Sequence, residues 1–386
     1  GLPVLDTSVY VHFPWCAKKC PYCDFATRKR AADAIPHEPY ADALLRELAL
    51  RGAQDGRRLV SVFFGGGTPS LWSGEALGRV LEGVRGAFSE EVAELEVTAE
   101  CNPQSLTAEK ARAFAAAGVN RLSVGVQSLR NDQLAFLGRL HDREEALRGL
   151  ADARAAVPRV SADLMFGMPK QKALEAEVDA VLATGVEHVS AYSLTIEPGT
   201  QFGELQRLGR LEVAPDDDVA AMFEATEARF AAAGYAHYEV SNYARPGAEA
   251  RHNQHYWRGG DYLALGAAAV GCLSEGSGAR RSRNVEDGDA YLEAVRKAED
   301  AQDVEAWQEA LGPEERIQEA LMLGLRTSEG VDLEALALRV RRDPLRGRER
   351  ALDAALEAGD LVREGARLRV PTARWLRLDG IVARLF

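Results

Sequence analysis

The stretch "YVHFPWCAKKCPYCDF", residues 10 to 25, decides how this chain is interpreted. A short strand-like run leads directly into three cysteines with the spacing C-x3-C-x2-C, namely Cys16, Cys20 and Cys23. Thiolates this close in sequence can wrap a loop around one metal ion or one iron–sulfur cluster. The chain has five cysteines in 386 residues, which is a poor disulfide framework, so ligation in a reducing compartment is favoured.

Two chemistries compete for this loop. Zinc needs a fourth ligand, and His12 would extend the spacing to H-x3-C-x3-C-x2-C. That arrangement requires the chain to fold back through the rigid Pro14, although His12 lies within the predicted strand. A [4Fe–4S] cluster can instead keep three thiolates and leave one iron open for a small molecule. The cluster is therefore the favoured interpretation.

The composition indicates an ordinary globular protein. Apolar residues make up 46% of the chain, and 47 basic against 59 acidic residues give a net charge of −12. This balance argues against general affinity for nucleic acid or anionic membrane. No apolar stretch approaches the roughly 20 residues that span a bilayer, and the first residues lack a signal-peptide pattern. We therefore expect a cytoplasmic protein.

Strand-like and helix-like segments alternate after the cysteine loop. Strands are predicted at residues 8–13, 58–64, 94–100, 121–128, 159–167 and 188–196, with helices between them. Several helices end at a glycine, such as Gly118, Gly185 and Gly234, as expected for left-handed helix caps. Six units of this kind predict an α/β fold whose parallel sheet forms a partial (β/α)6 barrel. Ligands of such folds bind at the carboxyl ends of the strands.

The alternation stops near residue 240, which divides the chain into three predicted regions. Residues 1–240 form the part-barrel, 241–290 extend the sheet with loops, and 291–386 form a small winged-helix-like α+β domain. Within the middle region, the Gly- and charge-rich segment 271–289 is predicted to be a loop. In the last region, a hairpin is expected to turn at Glu364–Gly365.

Polar residues follow several of the predicted strands. The segment "FFGGGTPS" (63–70) follows the second strand, and its glycines allow a ligand to approach the backbone closely. Glu100 ends the third strand, where a carboxylate could bind an ammonium group or ribose hydroxyls. Gln127, Arg139 and Asp163 lie near the ends of the next strands. The arginine fork suits a carboxylate. A turn at Pro69 and a salt bridge at Glu100 are the structural alternatives.

Eight motifs together resemble the oxygen-independent coproporphyrinogen III oxidase superfamily of radical S-adenosylmethionine (SAM) proteins. They are "YVHFPWCAKKCPYCDF", "FFGGGTP", "AECNP", "GVNRLSVGVQS", "DLMFGMP", "SAYSLTIEPGT", "YEVSNYARPG" and "RHNQHYWRGGDYLALG". The resemblance implies a radical-SAM part-barrel whose three cysteines hold a [4Fe–4S] cluster, with SAM on the fourth iron. It also implies an electron donor such as flavodoxin or ferredoxin. The residues implied to bind SAM are Tyr10, Tyr22, Phe25, Gly66, Gly67, Thr68, Glu100, Gln127, Arg139, Asp163 and Thr195.

Two features favour the haem-chaperone (HemW) branch of that superfamily. The oxidases resemble C-x3-C-x2-C-x-C, whereas Phe25 takes the place of the additional cysteine here. The oxidases also carry an extension before the first strand, and here that strand is predicted to start by residue 8. The branch implies that haem is bound as cargo and delivered to acceptor proteins. The alternative is a coproporphyrinogen III oxidase that decarboxylates two propionates to vinyls; no catalytic residue is assigned.

The resemblance to the chaperone branch implies haem-binding candidates in "HNQHYW". They are His252, Tyr256 and Trp257, with His255 as an alternative iron ligand. A purely structural role for His252, bonded to backbone, remains open. Where relatives often read "LGPGAHS", this chain reads "LGAAAVG" (265–271), so Val270 stands where a histidine is usual. Weaker or differently arranged haem handling is the expected consequence.

The remaining features are interpreted as structural. Cys101 and Cys272 are predicted to be buried small hydrophobes. The arginine-rich run 339–350 would suit a DNA-binding regulator, but Asp343 and Glu349 interrupt it, and a solvated helix face is favoured. A homodimer and peripheral membrane association during haem delivery are further expectations.

Overall fold

The structure is a computed structural model that describes residues 4–23, 25–172 and 174–386. The strands are β1 (Leu5–Phe13), β2 (Trp15–Cys16), β3 (Arg28–Lys29), β4 (Gln54–Gly66), β5 (Phe88–Cys101), β6 (Arg121–Gln127), β7 (Arg159–Phe166), β8 (His188–Ser193), β9 (Ala236–Glu239), β10 (Asn242–Ala244), β11 (Asp261–Leu265), β12 (Val270–Glu275), β13 (Gly278–Asn284), β14 (Glu305–Leu311), β15 (Val331–Asp332), β16 (Val362–Glu364) and β17 (Arg367–Arg369). The helices are α1 (His37–Arg51), α2 (Gly74–Gly86), α3 (Ala108–Ala117), α4 (Asn131–Phe136), α5 (Arg143–Ala156), α6 (Leu174–Ala183), α7 (Gln201–Arg207), α8 (Asp216–Ala232), α9 (Arg251–Trp257), α10 (Gly288–Lys297), α11 (Pro313–Gly324), α12 (Leu333–Val340), α13 (Glu349–Glu357) and α14 (Leu378–Ala383).

The central sheet of the described residues has twelve strands in the order β14-β13-β12-β11-β1-β4-β5-β6-β7-β8-β10-β9. The run from β11 to β8 is parallel throughout. It contains the six predicted strands in chain order, so the predicted α/β part-barrel is confirmed. Antiparallel strands extend both sides, and β14 and β9 stand at opposite ends of the order, so the barrel is open.

The parallel strands at the centre of the sheet are largely buried on both faces. Six of the seven residues of β6 are buried, as expected for a parallel strand covered by helices. The helices α1, α2, α3 and α5 pack side by side along one face. The Ser73 hydroxyl caps the start of α2, and Gly118 ends α3 with a φ of 110°, which confirms the predicted glycine cap at this position.

The Gly- and charge-rich segment 271–289 is not a loop, which corrects the prediction made from its composition. Most of it forms the hairpin of β12 and β13, paired from Val270 with Arg283 to Glu275 with Gly278. Its arginines are paired with acids on neighbouring elements: Arg280 with Glu305 at 2.5 Å, and Arg281 with a carboxylate of α11 at 2.5 Å. Composition cannot reveal this pairing, because the partners lie some 25 to 38 residues further along the chain.

A second apolar cluster lies in the C-terminal part of the chain and extends from Ile317 to Leu385. It packs helices α11 to α14 against a small antiparallel sheet in the order β15-β17-β16. The hairpin expected at Glu364–Gly365 is formed by β16 and β17. The preceding strand, β14, still pairs with β13 of the main sheet, and α10 packs on α1. We therefore propose that the domain boundary lies near residue 312, not at residue 291.

The arginine-rich run 339–350 does not form a single solvated helix face. Arg339 donates to the carbonyl oxygens of Gly259 at 2.5 Å and Arg258 at 3.1 Å, which links α12 to the end of α9. Arg348 is buried and donates to the carbonyl oxygen of Pro344. In the described part of the chain, no helix has both the length and the apolar character required to cross a bilayer.

Candidate functional site

The loop after β1 brings the three cysteines to one cavity at the carboxyl end of the sheet. The cavity has a volume of about 130 Å³, and Cys16, Cys20 and Cys23 all line it. A turn with the Cys23 amide bonded to the Cys20 carbonyl, and the pairing of β2 with β3, shape the loop. Burial raises the pKa of the Cys16 and Cys23 thiols. Because metal ligation requires thiolates, cluster binding would release protons from these groups.

The described residues around the cysteine loop do not provide the four-ligand arrangement of a zinc site. Among the described residues, no three His, Cys, Asp or Glu side chains are placed to share a single metal ion. A cubane cluster does not need such convergence, since each thiolate binds a different iron. The proposed fourth zinc ligand is also occupied: His12 Nδ1 bonds to the Tyr10 hydroxyl at 2.9 Å, and Nε2 bonds to the Ala26 carbonyl oxygen at 2.8 Å.

The glycine motif holds the cysteine loop against the sheet. The Gly67 amide donates to the Phe13 carbonyl oxygen at 2.6 Å, and the Thr68 amide donates to that of Trp15 at 2.8 Å. A Cβ on Gly67 would lie 2.4 Å from the Trp15 oxygen, and Gly66 has a φ of 112°. Both glycines line the cysteine cavity. The Gly67 amide is used by the Phe13 carbonyl oxygen, and the SAM-binding role of Gly66 and Gly67 stays a prediction.

Two carboxyl groups face the same cavity from neighbouring parts of the sheet. Burial and the nearby Asp163 raise the pKa of Glu100 to about 8. Burial also raises the pKa of Asp163 to about 6, although it accepts a hydrogen bond from the Ser123 hydroxyl at 3.1 Å. Glu100 accepts no hydrogen bond from the described residues. A cationic ligand would favour ionisation of both groups, so this side of the cavity suits an ammonium group.

Arg139 connects the cysteine loop to the ends of β5 and β6. Its Nη1 lies 3.4 Å from both Cys20 Sγ and the Tyr22 hydroxyl, and its Nη2 donates to Asn102 Oδ1 at 2.9 Å. Gln127 ends β6 with a φ of 65°, a left-handed conformation that is uncommon outside glycine. Strained backbone of this kind clusters at functional sites.

Asn102 and Ser123 are two of the site residues that were not predicted from the sequence. Asn102 donates to the Thr68 hydroxyl at 3.1 Å and accepts from Arg139, so it joins two of the predicted residues. Ser123 lies four positions before Gln127 on β6, on the same face of the strand. That alternation was a signal available in the sequence. The position of Asn102 directly after Glu100 and Cys101 in "AECNP" was another.

All of the residues predicted to bind SAM line one of two adjoining cavities. The cysteine cavity is lined by Tyr22, Phe25, Gly66, Gly67, Thr68, Glu100, Gln127, Arg139 and Asp163. The larger cavity has a volume of about 570 Å³ and is lined by Tyr10 and Thr195, as well as by several residues of the first. This volume is within the usual range of small-molecule sites.

His252 lies on the wall of the larger cavity, at the start of α9. Glu96 accepts hydrogen bonds from the amides of Arg251 and His252, both at 2.9 Å, and so fixes the first turn of this helix. The imidazole stacks on Phe63 with a centroid distance of 5.0 Å, and its Nδ1 bonds to the Ser61 hydroxyl at 2.7 Å. Burial lowers the pKa of His252 to about 4, so the ring is neutral at physiological pH.

The other residues predicted to bind haem are placed differently. Tyr256 is 42% exposed and lines the larger cavity. Trp257 is buried and packs against Tyr238 at 6.0 Å, away from the cavity, which corrects the expectation that it contacts the porphyrin. His255 bonds to the Asp261 carbonyl oxygen at 2.7 Å and does not line the cavity either. Val270 lines a separate cavity of about 330 Å³.

Two family models and one solved structure identify the class of protein. Residues 10–181 match the family model of the radical SAM superfamily, and residues 311–376 match that of the HemN C-terminal domain. The solved structure of coproporphyrinogen III oxidase (HemN) from Escherichia coli superposes with a TM-score of 0.80 at 20% identity, over 99% of this chain and 90% of that one. The fold is therefore that of a HemN-like radical SAM protein.

Sequence identity then gives the family within this class. The "Heme chaperone HemW" of Escherichia coli K12 is 40% identical over 304 residues, which cover 76% of this chain and 78% of that protein. The protein of the same name from Mycobacterium tuberculosis H37Rv is 37% identical over 390 residues, which cover 100% of this chain and 96% of that protein. The chain belongs to the HemW family. Membership in the radical SAM superfamily implies a [4Fe–4S] cluster and SAM.

Proposed function

We propose that this protein is a haem chaperone that binds haem in the larger cavity, with His252 as the axial ligand, and delivers it to acceptor proteins. The names of the relatives support the function. The assignment of the haem ligand is based on the protonation and hydrogen bonding of His252. Its ring is neutral and its Nδ1 is held by Ser61, whereas its Nε2 has no hydrogen-bond partner among the described residues.

A comparison with the other histidines strengthens this assignment. His188 has the same local arrangement, with Nδ1 bonded to the Ser161 hydroxyl at 2.6 Å, but its Nε2 is bonded to the Tyr238 hydroxyl at 2.6 Å. His12 and His237 also use both ring nitrogens. Histidines that bind metals usually have one nitrogen held by an oxygen and the other free for the metal. Among the seven histidines of the chain, His252 combines this state with a position on the larger cavity.

The cysteine cavity is the proposed site of the iron–sulfur cluster and of SAM. Cys16, Cys20 and Cys23 would hold the cluster, the carboxyl groups of Glu100 and Asp163 would bind the ammonium group of SAM, and Arg139 would bind its carboxylate. In this superfamily, SAM bound to the reduced cluster supplies a 5′-deoxyadenosyl radical. An electron donor such as flavodoxin or ferredoxin is the proposed partner for reduction.

The oxidase function is the lesser candidate. The match to HemN concerns the fold alone, and Phe25, which is 65% exposed, takes the place of the additional cysteine of the oxidases. Conversion of coproporphyrinogen III to protoporphyrinogen by the reconstituted and reduced protein with SAM would support the oxidase instead.

A haem titration tests the proposed site. We expect the anaerobically reconstituted protein to bind haem with a Soret spectrum typical of imidazole ligation, and His252→Ala to weaken binding by roughly tenfold or more. The matched control is His255→Gln, three residues further along the same helix, which should retain wild-type affinity. Absence of haem binding by the wild type, or unchanged binding and spectrum in His252→Ala, would contradict the assignment.

A further inference from the structure

Arg121 is a buried cation in the larger cavity that has not been given a role. It is the first residue of β6, is only 3% exposed, and lines the cavity together with His252. Its side chain forms no hydrogen bond or ion pair with the residues that the structure describes. It is also the one arginine or lysine among the described residues that line this cavity. The guanidinium group is therefore available to an occupant of the cavity.

Arg159 on the neighbouring strand is less buried than Arg121, with 19% of its side chain exposed, and yet it has hydrogen-bond partners. Arg159 pairs with Arg121 in the register of β6 and β7. It bonds to Glu96 at 2.5 Å and to the carbonyl oxygen of Glu249 at 2.7 Å. A buried guanidinium normally has such partners, because transfer of its N–H groups from water without hydrogen bonds is unfavourable. Arg121 is therefore more buried than Arg159, but among the described residues its side chain has no hydrogen-bond partner.

The acids nearest to Arg121 are used by other groups. Burial opposes ionisation of Glu96, but Arg121 and Arg159 outweigh it and lower the Glu96 pKa to about 2. The oxygens of Glu96 nevertheless accept from Arg159 and from two backbone amides of α9, not from Arg121. Asp163 accepts from Ser123. Arg121 thus experiences a favourable field without a bonded counter-ion among the described residues, and it lines the larger cavity.

We propose that Arg121 binds a carboxylate group of the molecule held in the larger cavity. A guanidinium fork matches the two oxygens of a carboxylate and strongly prefers this geometry to a single contact. Two ligands could supply the group: a haem propionate or the carboxylate of SAM. Arg121 lines the cavity that contains His252 and does not line the cysteine cavity, which contains Arg139. A propionate is therefore the favoured source, and naming haem rests on the function proposed above.

Haem and its dimethyl ester distinguish a carboxylate site from an apolar porphyrin pocket. We expect the full-length reconstituted protein to bind haem roughly ten- to hundredfold more tightly than haem dimethyl ester, as for a charged hydrogen-bonded pair. Arg121→Gln should lower haem affinity to that of the ester, and Arg121→Lys should recover part of the difference. The control is Arg112→Gln on the exposed face of α3, which should change neither affinity.

Equal binding of haem and its ester by the wild type, or full discrimination in Arg121→Gln, would overturn assignment to a propionate. The wild-type comparison decides this even if the variant does not fold. SAM binding is measured on the same proteins: a loss confined to SAM in Arg121→Gln would support the carboxylate site with SAM as its source. If the wild type binds neither porphyrin, the proposed function fails, and the SAM measurement alone decides the role of Arg121. Unchanged SAM affinity in Arg121→Gln would then refute it.

Discussion

A carboxyl group that is kept from water retains its proton at neutral pH unless a cation is brought to it. Glu100 is such a group, because burial and Asp163 raise its pKa to about 8. SAM carries an ammonium group that would favour ionisation of both carboxyl groups. At the scale of single residues, the cysteine cavity therefore has a site whose protonation depends on whether a ligand is present.

This pKa predicts how the stability of the ligand-free protein depends on pH. The folded pKa of Glu100 is about 8, whereas an unfolded glutamate titrates near about 4.3. Between these values the folded state binds more protons, so the contribution of Glu100 to stability falls as pH rises. We expect Glu100→Gln to show a shallower decline in Tm from about pH 5 to about pH 8 than the wild type.

The control for this measurement is Glu90→Gln, an exposed carboxylate on the same strand. It should leave the pH dependence of Tm unchanged. Identical slopes in the wild type and Glu100→Gln would show that Glu100 ionises at an ordinary pH in the folded protein.

At the scale of secondary-structure elements, the cysteine loop depends on contact between β1 and β4. Gly67 is at the end of this contact, where a side chain would meet the Trp15 carbonyl oxygen at 2.4 Å. The glycine motif thus has a structural task that is independent of any bound ligand. It determines how closely the loop that holds the three thiols can approach the sheet.

We expect Gly67→Ala to destabilise the protein by about 1–3 kcal/mol, because the added methyl group is forced against backbone that cannot move freely. The displaced loop should also retain less iron after anaerobic reconstitution, as measured by iron content and visible absorption. The control is Gly86→Ala at the end of α2, where an added Cβ meets nothing within 4 Å. Full cluster content in Gly67→Ala would show that the loop does not require this close packing.

At the scale of the whole molecule, the cysteine loop carries positive charge on an acidic protein. The chain has a net charge of −12, yet Lys18 and Lys19 are exposed and line the cysteine cavity. Further along the loop, Arg28 and Arg30 are paired with Asp287 and Asp289 at 3.1 and 2.6 Å. The two lysines therefore form a local positive surface beside the proposed cluster, and this surface would attract the proposed redox partner if that partner is acidic.

We expect the double variant Lys18→Glu and Lys19→Glu to be reduced by flavodoxin about tenfold more slowly at low ionic strength, with the difference fading at high salt. Reduction by dithionite should be unaffected. The control, Arg112→Glu with Arg148→Glu, makes the same change in net charge at exposed positions on α3 and α5. An equal loss in the control, or a loss independent of salt, would exclude docking at these lysines.

Local patterns in the sequence determined much of this protein. The apolar strands, the glycine-ended helices and the spacing of Cys16, Cys20 and Cys23 depend on neighbouring residues, so periodicity and motifs revealed them. The polar residues at the strand ends, such as Glu100 and Gln127, were found because parallel strands end at the same edge of a sheet. The same geometry places these side chains on the walls of two adjoining cavities.

Only the tertiary structure decided which of the polar side chains are free. Most of segment 271–289 forms a hairpin, and its Arg280 and Arg281 pair with acids on β14 and α11, far along the chain. His188 and His252 each have a serine hydroxyl bonded to Nδ1. Only in His188 is Nε2 also bonded, to the hydroxyl of Tyr238, which lies 50 residues away in the sequence. Whether a buried polar atom is satisfied depends on residues remote in sequence. No local pattern therefore distinguishes Arg121 from Arg159.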